Sequence, residues 1–182
     1  MSDRHLVKSK NVLAMEIVGT VFIILLGSAL HFTYALSGNQ PLVAFFSAVN
    51  EAVWEHLKLA FWPSLLWMLM EFYPLRKMTN NFLPAKAIGT YVMVVFIPIV
   101  FYSYTPFTGR SVFQIDITTF VVAVVIGQVV SYKLMQKKKP PKFANIISII
   151  ALILLTVLFV VFTFFPPHLS PFQDPNTGQY GI

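Results

Sequence analysis

The sequence predicts an all-α fold: a polytopic transmembrane bundle of five helices, with the N-terminus in the cytoplasm and a C-terminal tail outside. Three observations predict it. Of the 182 residues, 57% are hydrophobic and 11% charged, against about 25% charged in soluble domains. The apolar residues gather into five runs of roughly 20 residues, the length that crosses a bilayer as a helix. The basic residues lie in short clusters between those runs, where they act as topology signals.

The first run, 12–35, follows Arg4, Lys8 and Lys10 and ends at Ser37-Gly38-Asn39-Gln40, a turn-forming cluster. It has the charged start of a signal peptide, with Gly27 and Ala29 as a weak cleavage pair. Its length and the four runs behind it predict a retained span instead. Pro41 suits the first turn of a short helix capped by Asn39 or Gln40. The second run, 50–73, stops at Pro74, and Pro63 inside it removes a backbone hydrogen bond and predicts a kink. The third is 85–104, with Pro98 near its far end, and the fourth is 113–135, with a turn over 105–111 between them. Lys137, Lys138, Lys139 and Lys142 precede the fifth, 143–165, which Pro166 and Pro167 close. The domains expected are therefore 1–165, the five-helix bundle, and 166–182, the tail.

Sidedness follows from counting. With the N-terminus cytoplasmic, eleven of the thirteen basic residues fall inside, against Lys58 and Arg110 outside. The same threading puts His31, Glu51, Glu55, His56, Asp116, His168 and Asp174 at or just below the outer face. It leaves Glu16 and Glu71 toward the inner side. A net charge of +6 in such clusters argues for membrane topology and against nucleic-acid binding. With no cysteine, any metal site is built from histidine, carboxylate and water, which favours a divalent cation such as zinc.

The densest polar stretch is Ser47 to Lys58. Ionisable residues near membrane depth are costly unless paired or functional. On a helix turning about 100° per residue, Glu51, Glu55 and Lys58 share one face, with Trp54 at its flank, and His56 lies about 100° round from Glu55. Another helix must complete a metal site, and His31 is the donor expected, with Tyr34 nearly on its face and Gly27 one turn further down allowing close approach. His31, Glu51 and Glu55 are thus the candidate catalytic and metal-binding residues. Tyr34, Asn50, Trp54, His56, Lys58 and Asp174 form a second rank. The alternative is self-neutralisation, in which Lys58 pairs with Glu55 or Glu51 and Trp54 anchors at the interface. The spacing matches no zincin helix, and no phosphate loop or haem motif is present.

The tail is turn-rich yet nearly uncharged, and Phe172, Tyr180 and Ile182 give it something to pack. The expectation is that it folds back over the outer mouth and brings Asp174 or His168 toward His31 and Glu51. Glu16, Glu71, Gln128 and Asn145 are expected to snorkel, to pair with nearby bases or to bond between helices.

The strings HFTY at 31–34, VNEAVWEHLKL at 49–59 and the tail from Pro167 through DPNTGQYGI resemble a family of small bacterial multi-helix membrane proteins catalogued as a domain of unknown function. The resemblance spans essentially the whole chain. It implies membership and a bacterial cytoplasmic membrane, and it supplies no substrate, cofactor or catalytic residue. On the residues alone, the leading function is an outward-facing polar or metal-binding pocket supporting catalysis on a membrane or lipid substrate. A proton- or cation-coupled transporter, and a structural subunit of a homo-oligomer or membrane complex, are the alternatives.

Overall fold

The computed structural model describes residues 3–182, which form six helices and a 3-10 turn. In order these are α1 (Asp3–Leu36), the single turn α2 (Pro41–Ala44), α3 (Val53–Leu75), α4 (Phe82–Thr108), α5 (Phe113–Met135), α6 (Lys142–Phe164) and the turn Ser170–Phe172. Among the described residues four stretches are long and apolar enough to cross a membrane: Ser9–Leu36 of α1, then α4, α5 and α6. Exposed leucine, isoleucine, valine and phenylalanine run down α6 from Phe143 to Val161 and down α1 from Leu13 to Phe32. Such a continuous apolar exterior suits lipid rather than water.

The second predicted span, α3, does not reach that apolarity. The reason is its position. About half of its residues are buried, among them Glu55, Lys58, Ser64 and Glu71, so its surroundings are other helices, which tolerate polar side chains that lipid would not. Its start is also later than predicted, at Val53. Asn50 Oδ1 accepts from the Ala52 amide at 2.9 Å, an Asx-type turn that bends the chain at residues 50 and 51 and leaves Ala52 extended ahead of the first helical turn. At the other end the helix runs through Pro74 to Leu75, where the lost donor falls in the last turn.

α4 is longer than predicted at both ends. Pro84 is accommodated in its first turn, and Gly109, with φ of 68°, supplies the left-handed residue that ends it. The predicted turn over 105–111 shrinks accordingly. At α2, Gln40 occupies the N-cap position, but no side chain caps it; the Gln40 amide instead donates to Ser37 Oγ at 3.1 Å.

α1 and α3 lie antiparallel, meeting through His31 and His56 at one end and through Glu16, Glu71 and Lys86 of α4 at the other. The two meeting points are 15 residues apart on each helix (31 − 16 and 71 − 56), about 22 Å at the α-helical rise. Between them Ile23, Ala60, Trp67, Met93 and Val124 form an apolar core. Close approach depends on Gly27, where a Cβ would overlap the Leu59 carbonyl oxygen. Leu59 is four residues before Pro63, so its carbonyl is the one the proline leaves without an intrahelical donor. The glycine of one helix therefore seats against the carbonyl freed in the other.

Candidate metal centre

Three side chains from three chain segments converge at the His31 end. His31 Nε2 lies 3.2 Å from His56 Nε2. Glu51 Oε2 is 3.3 Å from His56 Nε2, and Glu51 Oε1 is 3.8 Å from His31 Nε2. One ligand-type atom from each residue fits within 4.8 Å of the others. Tetrahedral zinc with bonds of 2.0–2.2 Å spaces its ligand atoms about 3.4 Å apart; the His31–His56 and His56–Glu51 separations match this, while the His31–Glu51 separation, made by the other carboxylate oxygen, is wider.

The backbone around the site sets this geometry. His56 Nδ1 contacts the Ala52 carbonyl at 2.9 Å. A carbonyl only accepts, so the proton is on Nδ1 and a neutral His56 presents a lone pair at Nε2. That lone pair faces a carboxylate and a second imidazole nitrogen. A cation between them, a metal or a proton on His56, converts the repulsion into attraction. Glu51 lies in the loop before α3 and its side chain is about half exposed. Its carboxyl is held below the ordinary carboxylate value chiefly by the His56 hydrogen bond, with the charges of His56 and His31 acting the same way against partial desolvation.

Two contacts fix where Glu51 sits. Its amide donates to Asp174 Oδ2 at 3.4 Å, and the neighbouring Asn50 Nδ2 donates to the Gly181 carbonyl at 3.0 Å. Asp174 itself is buried within a turn, accepting from the Asn176 and Thr177 amides at 2.7 and 3.3 Å. On the α1 side, the buried Ser47 hydroxyl donates to the Leu30 carbonyl and accepts from the Tyr34 amide at 3.0 Å. Those two groups are an i→i−4 pair of α1, so Ser47 pins the loop leading to Glu51 onto the helix that carries His31.

Glu55 is not part of this cluster, contrary to its predicted place beside His31 and Glu51. One residue before His56, it points about 100° away around α3, toward α6. Its Oε2 lies 2.5 Å from Lys58 Nζ and accepts from the Val49 amide at 3.1 Å, while Oε1 accepts from Thr163 Oγ1 at 3.0 Å. Lys58, fully buried, also donates to the Ala44 carbonyl and to Thr163 Oγ1 at 2.8 and 2.9 Å. Glu55 and Lys58 thus hold the loop before α3 and tie α2, α3 and α6 together. His56, ranked second from the sequence, stands where Glu55 was expected.

The other predicted residues are distributed around the centre. The Trp54 ring packs on Phe159, Phe162 and Phe172, with centroids 4.8, 5.5 and 4.9 Å away, which seats the tail on α3 and α6. Tyr34 contributes its backbone amide. His168 stacks on Tyr180 at 4.6 Å and is not among the grouped ligand residues. Asp116 accepts from the Tyr104 hydroxyl at 2.5 Å.

Sequence reasoning missed the roles of Ser47 and Thr163, whose small hydroxyls carry no pattern. It also missed the burial of Glu16, Glu71 and Lys86 against one another. Lys86 stands between Ala85 and Ala87 at the start of its run with no other charge beside it, and that was the available signal.

No curated protein and no solved structure matches this chain. The profile of a family of unknown function, DUF6512, matches residues 4–182. The chain belongs to that family.

Proposed function

We propose that this is an integral membrane protein whose His31, Glu51 and His56 bind one divalent cation, such as zinc, in a site opening on the outer face. One observation carries this reading: one ligand atom from each of three residues converges within 4.8 Å, with the tautomer of His56 fixed by the Ala52 carbonyl. A carbonyl accepting from the other ring nitrogen is what orients a metal-bound imidazole.

Five helices cross in this reading. α3 completes the set because it lies antiparallel along α1 over the depth between the two polar centres. The basic clusters then put the N-terminus in the cytoplasm and the tail, held over Glu51 by Asp174 and Gly181, outside. Three protein ligands leave a fourth position for water or substrate, the arrangement of catalytic rather than structural zinc. At lipid headgroup depth, such a site serves metal-assisted chemistry on a membrane or lipid substrate. Transport is the second reading, favoured by the buried charges at the Glu16 end. The apolar core between the two ends weighs against a continuous polar path.

Cobalt substitution tests the proposal. Purified protein loaded with Co2+ is expected to show the intense visible bands of a tetrahedral site, and His56→Ala is expected to abolish them. Only the weak bands of hydrated cobalt in the unaltered protein would refute it.

A further inference from the structure

Four helices bring charged or polar groups together at the other end of the bundle. Lys86 Nζ of α4 lies 2.7 Å from Glu16 Oε1 of α1 and contacts Glu71 Oε1 of α3. From α5, Ser131 Oγ donates to Glu16 Oε1 at 3.0 Å, and Gln128 Nε2 donates to the Glu16 carbonyl at 3.3 Å. Glu71 is 0% exposed, Glu16 3% and Lys86 4%. Two carboxylates thus face a single ammonium. Among the described residues Glu16 Oε2 is buried without a hydrogen-bond partner, and Glu71 has, besides Lys86, only the indole of Trp67, one turn before it on α3, near enough to bond.

No other charge closes the balance among the described residues. Lys10, Arg76, Lys77 and Lys133 are exposed and make no ion pair here, and Arg76 stacks over Phe72 and Tyr73. Ser131, Gln128 and Tyr132 of α5 are neutral, and the Tyr132 hydroxyl bonds to Ser9. With both acids ionised the cluster carries one net negative charge in a desolvated site, which is strongly disfavoured. One added proton makes it neutral and turns one orphaned oxygen into a donor.

We propose that Glu16, Glu71 and Lys86 form a binding site for one exchangeable proton, held by the carboxylate pair beside the ammonium. Uptake forms a single O–H bond on a carboxylate, using a proton from solvent, and release returns it. The proton belongs to the coupled pair rather than to either residue. Glu16 and Gln128 also line a groove of about 260 Å3 between α1 and α5, with Thr20 and Tyr132, which gives the pair an edge where exchange can occur. The site uses none of the residues of the metal centre, so the two proposals stand or fall separately.

Charge arithmetic supplies the test. Infrared spectra of the full-length protein in lipid vesicles are recorded against pH, with deuterium exchange identifying protonated carboxyl groups. The unaltered protein is expected to show one buried carboxylic acid at neutral pH that ionises in base. Glu71→Gln and Glu16→Gln each leave a neutral pair with Lys86, so either is expected to remove that band. Lys86→Met leaves two acids without a base and is expected to double it. A band that survives both glutamine substitutions, or its absence from the unaltered protein, overturns the proposal, and the latter result requires no variant to fold. Loss of the band on adding sodium at neutral pH would also overturn it, by making the site one for a metal cation.

Discussion

Glu51 and Asp174 are 123 residues apart in the chain, yet the Glu51 amide donates to the Asp174 carboxylate at 3.4 Å. The contact reaches the backbone of a proposed ligand and leaves its carboxylate free for His56 and a cation. In the proposed metal centre the tail would therefore act by holding a ligand in position.

Removing that contact should weaken metal binding without abolishing it. Asp174→Ala is expected to lower zinc affinity about tenfold, the lower end of what outer-shell substitutions cost. Competition with a zinc chelator measures it. Unchanged affinity would make the tail a separate structural element.

Glu55 and Lys58 should matter for folding, not for metal. Both are buried and each is the other's ion partner. Breaking such a pair from one side costs about 3–5 kcal/mol, while replacing both with apolar residues is often near neutral. Lys58→Met and Glu55→Gln are each expected to lower the unfolding temperature strongly. The double variant Glu55→Leu/Lys58→Met should recover much of the loss. Thermal unfolding in detergent reads all three, and additive losses would contradict the pairing.

The Glu51–His56 contact should disappear in acid. Because the Glu51 carboxyl is held below its ordinary value in the fold, its contribution to metal-free stability is present above about pH 4.5, the ordinary value, for as long as His56 carries its second proton. It is lost as pH falls through the lower value of the folded state. Protons also compete with the metal for the imidazoles and the carboxylate, so zinc affinity should fall steadily from neutral pH downward. Unfolding scans of the unaltered protein and Glu51→Gln should converge at low pH and separate above it. The effect is small because Glu51 is about half exposed.

Topology can be read directly, since the chain has no cysteine. A single cysteine at Thr177 is expected to react with a membrane-impermeant thiol reagent added outside intact cells. One at Lys139 should react only after the membrane is opened. The reverse pattern would invert the sidedness, and with it the face on which the metal centre opens.

How much of this was legible depends on how far apart the interacting residues lie. α5 and α6 were placed within a residue or so, because their apolar runs are bounded by sharp changes in polarity. α3 was displaced by three residues at its start, where the Asn50 side chain, rather than hydropathy, decides the first turn. His31 and Glu51 were identified as partners from depth alone. The exchange of Glu55 for His56 was not legible. Neighbouring residues differ by about 100° around a helix, and only the placement of α6, with Thr163 opposite Glu55, shows which one turns inward. Glu16, Glu71 and Lys86 come from three helices, and no local pattern reveals that they meet.

The most direct test is the metal content of purified protein, measured per chain after incubation with zinc and removal of excess. The account predicts one zinc per chain in the unaltered protein and in Glu55→Gln where that variant stays folded. It predicts loss of zinc in His31→Ala and His56→Ala, and weakened retention in Glu51→Gln. Zinc retained in full by His56→Ala, or absent from the unaltered protein, would contradict it.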